Sequence, residues 1–375
     1  MTRKVSPNPD LAVGKTHKQR WNSPPHRRHG FHNAHQLFRR SMMFRSRNVL
    51  QLVPNEDPEF AAHASVTALT GTEAFSALVC LRADQILLAR AALDFSVTQP
   101  HSIQSITKMH IHLIVGLLQK QGLLDLGQTV DHYLPDIGSG YRGAVLQDLL
   151  DMNIANNFTE DYANPQADCY REEIALGWRL PPEGQPDLSL REFAFSITGG
   201  DLTNRSGHAD YKSANTDVLT LICAQVSPRP MASLIEDITD LAGYEGSFTI
   251  SASCDRLPAF SGGGCLSAMD LARFGLLFTK EGCSPGNHPF LQTTVSRQAP
   301  SMSPPKDWLR YSNHVMTDDR FIGHAGYGGQ FLMVDQKTGL SCAYLSVLTN
   351  ESGYDDSYME QVIRHLRDIC QMHET

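Results

Sequence analysis

Apolar positions fall in distinct patterns along the chain, and each pattern predicts an element. Runs 75–81 and 85–91 are short, apolar and separated by Arg82-Ala83-Asp84, which predicts a β-hairpin. A second pair, 330–335 and 340–348, flanks Gln336-Lys337-Thr338-Gly339 and predicts another. Between them the period changes. From Ser105 to Gln121 the residues Ile106, Met109, Ile111, Leu113, Ile114, Val115, Leu117 and Leu118 make the run apolar nearly all round, the pattern of a buried central helix. Gly122 supplies its stop. Further helices are predicted over 145–152, 190–196, 217–226, 231–241 and 267–280, and 355–372 predicts a closing amphipathic helix with Met359, Val362, Ile363, Leu366 and Ile369 on one side.

Strands at both ends around a helical middle imply an α/β (α+β sandwich) fold: an antiparallel sheet flanked by helices, with an inserted all-helical subdomain. The expected division is a basic arm over 1–60 packed on the body, a sheet domain from 61–100 and 251–375, and a helical subdomain over 101–250. The arm is rich in Pro, His and Arg and reads as irregular, with Leu37, Phe38, Met42, Met43 and Phe44 available to dock.

Charge sharpens this picture. The 375 residues carry a net −8, but the first 50 hold 11 Lys/Arg against one acidic residue, Asp10. A basic end of this kind suits nucleic acid, targeting, or an arm lying on an acidic body. No h-region follows the early charges, so a secretory signal is not expected. No apolar run approaches the roughly 18 residues of a membrane span. Cysteines at 80, 169, 223, 254, 265, 283, 342 and 370 include no C-x-x-C pair and read as reduced, mostly buried thiols of a cytosolic protein. His26, His29, His32 and His35 recur every third residue, but without acidic or thiol partners no metal site is expected.

The chain has no G-x-S-x-G elbow, no H-E-x-x-H, no G-x-x-x-x-G-K loop and no dinucleotide fingerprint. It does have Ser105-Ile106-Thr107-Lys108. With 30 Ser and 9 Lys, chance alone supplies roughly one Ser-x-x-Lys, and a second occurs at Ser303-Pro304-Pro305-Lys306. Context separates the two. Ser303 lies in a Pro-rich loop, whereas Ser105 opens a buried helix, which puts Lys108 one turn along the same face. A serine needs a base within hydrogen-bond reach to become a nucleophile. Lysine is almost wholly protonated at neutral pH, but burial disfavours its charged form. The helix start also offers the Ser105 N–H to a developing oxyanion. Two other segments stand out: Tyr211-Lys212-Ser213-Ala214-Asn215 before a helix, and His324-Ala325-Gly326-Tyr327-Gly328-Gly329 entering a strand. Alone, the first is a packing tyrosine with Asn215 as N-cap, and the second a Gly-rich strand entry. Together and in this order, the three form a signal.

Ser-x-x-Lys opening a central helix, Tyr-x-Ser after the helical region and His-x-Gly on a late strand resemble the penicillin-recognising serine hydrolases. That group includes class C β-lactamases, D-amino-acid-type peptidases and esterases. Within it the chain is most similar to the 6-aminohexanoate-dimer hydrolases, amidases of nylon oligomers, and their esterase relatives. The likeness extends through Gly122-Leu123-Leu124-Asp125, Tyr133-Leu134-Pro135, Leu149-Leu150-Asp151-Met152, Thr159-Glu160-Asp161-Tyr162 and Asp270-Leu271-Ala272-Arg273. Trp21 with Pro24-Pro25-His26 resembles the family's amino-terminal arm, which makes the basic segment part of the body. Lys337-Thr338-Gly339 spells the β-lactamase triplet but falls in the hairpin turn; the family's strand position holds His324-Ala325-Gly326. With His there, and Ser213 in place of the class C Asn, recognition of a β-lactam carboxylate is disfavoured, because neutral His supplies no fixed positive charge.

The resemblance implies acyl transfer without a cofactor. Ser105 would attack an amide or ester carbonyl, and Lys108 and Tyr211 would share the proton work, with the initial base open between them. Tyr211 would donate to the leaving group. The N–H groups of Ser105 and Tyr327 would form the oxyanion hole, and Tyr162, Ser213, His324 and Gly326 would contact substrate. The expected partner is a small amide or ester, with neither nucleic acid nor membrane; a cytoplasmic location is expected and a homodimer is left open. The alternatives are a β-lactamase or D-amino-acid-type peptidase, which would need export, and a non-hydrolytic sensor on the same fold. Specificity would lie in loops such as 156–173 and 299–319.

Overall fold

The computed structural model describes residues 20–280, 282 and 288–372. Arg3, Lys4, Lys15 and Lys18 of the arm, and Cys283, lie outside the described residues. The arm contributes β1 (Ser41–Phe44) and β2 (Val53–Pro54); then come the first hairpin as β3 (Phe75–Arg82) and β4 (Gln85–Ala91), and β5 (His101–Ser102). The central helix is Met109–Lys120. The helical stretch contains Leu146–Leu150, Leu190–Ser196, Ser213–Val226 and Met231–Ala242, close to the predicted bounds, and Asp168–Ala175, which the pattern did not announce. Then follow β6 (Phe248–Ser251), β7 (Gly264–Leu266), β8 (Arg310–Ser312), β9 (Val315–Thr317) and β10 (Phe321–Gly326). The second hairpin is β11 (Gln330–Asp335) with β12 (Leu340–Ser346).

The large sheet runs β2-β4-β3-β12-β11-β10-β9-β8 and is antiparallel except where β2 lies beside β4. At its centre β3 pairs with β12, Cys80 opposite Cys342 and Val79 opposite Ala343, which joins the two ends of the chain. Side chains alternate across a strand. Ala77, Val79 and Leu81, with Leu332, Val334, Ala343 and Leu345, enter one core together with the central helix and the helix Ala268–Leu276. Leu78, Cys80, Phe331, Met333, Cys342 and Tyr344 enter the other, filled by Met359, Val362, Ile363, Leu366 and Ile369 of the helix Asp356–Gln371. Both faces are covered, which is why these strands read as continuous apolar runs. At Gly275 a Cβ would stand 2.1 Å from the Ser341 Oγ, so glycine lets its helix lie directly on β12.

The arm departs from the irregular chain that its composition suggested. Pro24–Leu37 is a helix, with both prolines in its first turn, where no N–H is needed. Arg27, Phe31, Ala34 and Leu37 bury one face. A Cβ at Gly30 would stand 2.1 Å from the Trp21 carbonyl oxygen, so the helix closes tightly on the preceding turn. Trp21 packs on Phe31 and edge-on to Trp178. Arg28 pairs with Asp94, Arg39 and Arg40 with Asp187, and Arg47 with Asp240, which lays this basic segment across the acidic body. The four histidines sit on this helix, where a three-residue step turns about 300° and fans them round its axis. His32 is buried with Nε2 3.0 Å from the Ser76 Oγ, while His26 and His29 are exposed. Among the described residues no group of three His, Cys, Asp or Glu is placed to hold a metal. The seven described cysteines are free thiols, and six are buried.

A second sheet, β1-β6-β7-β5, has strands of only two to four residues. It ties the arm through β1 to the segment that leads, through β5, into Ser105. No single helix among the described residues is long and apolar enough to cross a membrane. Ser213–Val226 and Met231–Ala242, bent by 102°, pass that test only as a pair, and both contribute to the core.

Candidate active site

Ser105 and Lys108 lie in a 3-10 turn, Gln104–Lys108, that precedes the central α-helix. At three residues per turn, positions i and i+3 eclipse, which aligns the two side chains more closely than an α-helix would. Gln104 enters the turn with φ at 46°, a left-handed conformation that is uncommon outside glycine. Its side chain donates to the Ser102 Oγ at 2.7 Å. The Thr107 hydroxyl donates to the Gln104 carbonyl at 2.6 Å and accepts from the Gly264 N–H at 3.0 Å, which fastens the turn to β7.

Lys108 is fully buried. Its nitrogen stands 3.1 Å from the Ser105 Oγ and 2.9 Å from the Ser213 Oγ, and donates to the Ser261 carbonyl. Burial lowers its pKa from the ordinary lysine value, against the opposing charges of Glu160, Glu172 and Asp217. The Tyr211 ring centre lies 5.1 Å from the same nitrogen. Its hydroxyl is buried and faces the hydroxyls of Ser105 and Ser213. Burial, then the charge of Glu160, holds that hydroxyl well above the usual tyrosine pKa, so it keeps its proton. A serine hydroxyl, an amine and a protonated phenol thus meet at one point.

Above them opens a cleft of about 470 Å³ lined by Ser105, Tyr162, Tyr211, His324, Gly326 and Tyr327. Segment 156–173 supplies Glu160 and Tyr162, and segment 299–319, which forms β8 and β9, supplies Met302, Lys306 and Met316. The Tyr162 hydroxyl donates to Glu160 at 2.5 Å, and its ring packs 4.8 Å from that of Tyr327. Ser213 lines a smaller adjoining cavity with Ser105, Glu160, Tyr162 and Tyr327, and its hydroxyl bridges Lys108 and Glu160. His324 lines the cleft, but its ring is engaged within the protein. Nδ1 lies 2.6 Å from the Ala325 carbonyl and Nε2 3.0 Å from the Tyr311 hydroxyl, and burial pushes its pKa down to about 3. It is a neutral ring that donates from Nδ1 and accepts at Nε2.

Gly326 marks a close approach. A Cβ there would stand 2.7 Å from the Ile103 carbonyl and 2.4 Å from the Gln330 Oε1, so β10 runs against the residues just before Ser105 and delivers the Tyr327 backbone beside them. The Tyr327 hydroxyl donates to the Ser352 carbonyl at 2.5 Å. The second Ser-x-x-Lys makes no serine–amine pair: Lys306 donates to the Tyr354 hydroxyl at 2.6 Å and to Asp356. Lys337-Thr338-Gly339 sits in the β11–β12 turn, with Gly339 at φ 70°. Asn215 is not an N-cap. Lys212 holds that position, and Asn215 is buried inside the helix, accepting from the Tyr141 hydroxyl at 3.0 Å.

Sequence reasoning missed Glu160, Glu172, Asp217 and Ser261. Burial raises Asp217 to about 7 and holds Glu172 well above the carboxylate range. An acid inside the apolar helix Ser213–Val226 was a readable signal for Asp217; nothing local marked Glu172 or Ser261.

Fold and site together define a hydrolase of the serine β-lactamase type. The chain matches the family model described as Beta-lactamase over residues 77–364 and belongs to that family. It is 28% identical to the 6-aminohexanoate-dimer hydrolase of Paenarthrobacter ureafaciens over 286 residues, 74% of this chain and 71% of that protein. A Bacillus anthracis structure, provisionally described as a 6-aminohexanoate-dimer hydrolase, superposes with TM-score 0.78 at 17% identity, covering 98% of each chain. EstCE1, a hydrolase with promiscuous acyltransferase activity, superposes with TM-score 0.60 at 14% identity, covering 82% of this chain and 97% of its own. The last two likenesses are of fold.

Proposed function

We propose that the protein is a serine hydrolase that cleaves a small amide or carboxylic ester through an acyl-enzyme on Ser105. The observation that carries this reading is the buried Lys108 nitrogen, 3.1 Å from the Ser105 Oγ at the foot of the cleft. In this reading the Ser105 oxygen attacks the carbonyl while its proton passes to Lys108, whose burial disfavours the ammonium form. The N–H groups of Ser105 and Tyr327 hold the oxyanion. Tyr211, whose protonated hydroxyl faces Ser105, protonates the departing amine or alcohol. The Lys108 ammonium returns its proton to the Tyr211 oxygen, and water then attacks the acyl ester, its proton passing through the Lys108 amine to the departing Ser105 oxygen. A neutral, internally bonded His324 speaks against a site built around a substrate carboxylate. The relationship to 6-aminohexanoate-dimer hydrolase supports linear amides within the substrate class.

The test is direct. Ser105→Ala is expected to abolish hydrolysis of a p-nitrophenyl acyl ester and labelling by a fluorophosphonate. Wild-type turnover and labelling in that variant would overturn the proposal. A panel of esters, linear amides, lactams and β-lactams then ranks the substrates.

A further inference from the structure

The Lys108 nitrogen has three oxygen neighbours, and only one is the nucleophile. The Ser261 carbonyl carries no proton, so it takes one N–H. The Ser213 hydroxyl proton is already committed, because Ser213 donates it to the Glu160 Oε1 at 2.7 Å. The Ser213 backbone N–H donates to the Oε2 of the same carboxylate at 2.6 Å, and the Tyr162 hydroxyl to Oε1 at 2.5 Å. Ser213 must therefore accept from Lys108. Two N–H bonds of Lys108 are thus spent whether it is an ammonium or an amine. The remaining valence faces Ser105, as an N–H in the ammonium and as a lone pair in the amine.

We infer that Glu160 is a positioning residue for this hydrolase: by fixing the direction of the Ser213 proton, it reserves the Lys108 lone pair for Ser105. This rests on the acyl-enzyme reading above and deepens it. Glu160 acts through Ser213 and Lys108 rather than on the reacting atoms. A glutamine in its place offers one acceptor and one donor group where the carboxylate offers two acceptors. With its carbonyl on the Ser213 N–H, its NH2 meets the Ser213 and Tyr162 hydroxyls and reverses them. The Ser213 proton then turns to Lys108 and competes with Ser105 for the lone pair.

Steady-state hydrolysis of a p-nitrophenyl ester by Glu160→Gln, Glu160→Asp, Ser213→Ala and the double variant Glu160→Gln/Ser213→Ala tests this, with thermal melts to establish folding. Glu160→Gln is expected to lower kcat about 100-fold with KM within about twofold, given that a general base is worth about 10²–10⁴-fold. Glu160→Asp, which keeps both acceptors, recovers most of that loss. Ser213→Ala, which leaves Glu160 intact, lowers kcat about tenfold. The double variant is more active than Glu160→Gln, because no hydroxyl remains to compete. Wild-type kcat in Glu160→Gln or in Ser213→Ala, or losses that simply add in the double variant, overturn the inference. A wild-type protein that hydrolyses neither esters nor amides and is not labelled at Ser105 overturns the acyl-enzyme reading instead.

Discussion

Asp217 makes stability depend on pH in an unusual direction. It is fully buried beside Glu172 and Ser261, and burial raises its pKa from 3.8 to about 7. Between those values the folded protein keeps a proton that the unfolded chain has released. The folded state therefore binds more protons in that window, and stability falls as pH rises through it. Three units at about 1.4 kcal/mol each give a loss of roughly 4 kcal/mol, complete above the folded value and absent below the unfolded one. Asp217→Asn keeps the shape and removes the ionisation. From pH 5 to pH 8 about two units of the window are crossed, so the variant gains roughly 3 kcal/mol on the wild type over that range. At about 2 cal/mol/K of unfolding entropy per residue, that is about 4 °C for a chain of 375 residues. Scanning calorimetry of both proteins at the two pH values reads it. The Tm difference, variant minus wild type, is expected to grow by about 4 °C towards pH 8. Asp217 is also one of the groups that raise Glu172, so the difference reads the ionisation of the coupled pair from which Asp217 is removed. An equal Tm difference at the two pH values would refute the reasoning, because Asp217 would then have the same charge at both.

Other substitutions test the scaffold that positions the site. Arg27 is buried and donates to the carbonyls of Leu348, Asn350 and Glu351 at 2.9, 2.6 and 3.1 Å. Arg27→Ala strands these acceptors and is expected to cost about 3 kcal/mol in urea unfolding, and to lower kcat/KM by loosening Tyr327. Gly326→Ala sets a Cβ against Ile103 and Gln330. It should push β10 away from Ser105 and lower kcat on a p-nitrophenyl ester by about tenfold or more. Gly275→Ala collides with Ser341 where its helix lies on β12; it is expected to destabilise by about 1–3 kcal/mol in thermal melts.

Periodic and local features were determined by the sequence itself. The two hairpins, the central helix and the closing helix follow from spacings of two to four residues, and so does the pairing of Ser105 with Lys108. Composition misled in the arm, where Pro, His and Arg concealed a helix whose buried face includes an arginine. The N-cap assigned to Asn215 failed because its helix begins two residues earlier and Tyr141 claims its side chain. Only the tertiary structure decided which groups surround Lys108. Ser213 is 105 residues away and Ser261 is 153, separations that no local spacing encodes. Packing likewise decided that His324 turns to Tyr311, and that the Ser213 hydroxyl bridges the amine and Glu160. Residue types named the chemistry because a hydroxyl, an amine and a phenol carry it in any setting. Protonation states and proton directions had to wait for the fold, because burial and neighbouring charges set them, and both belong to the whole packed chain.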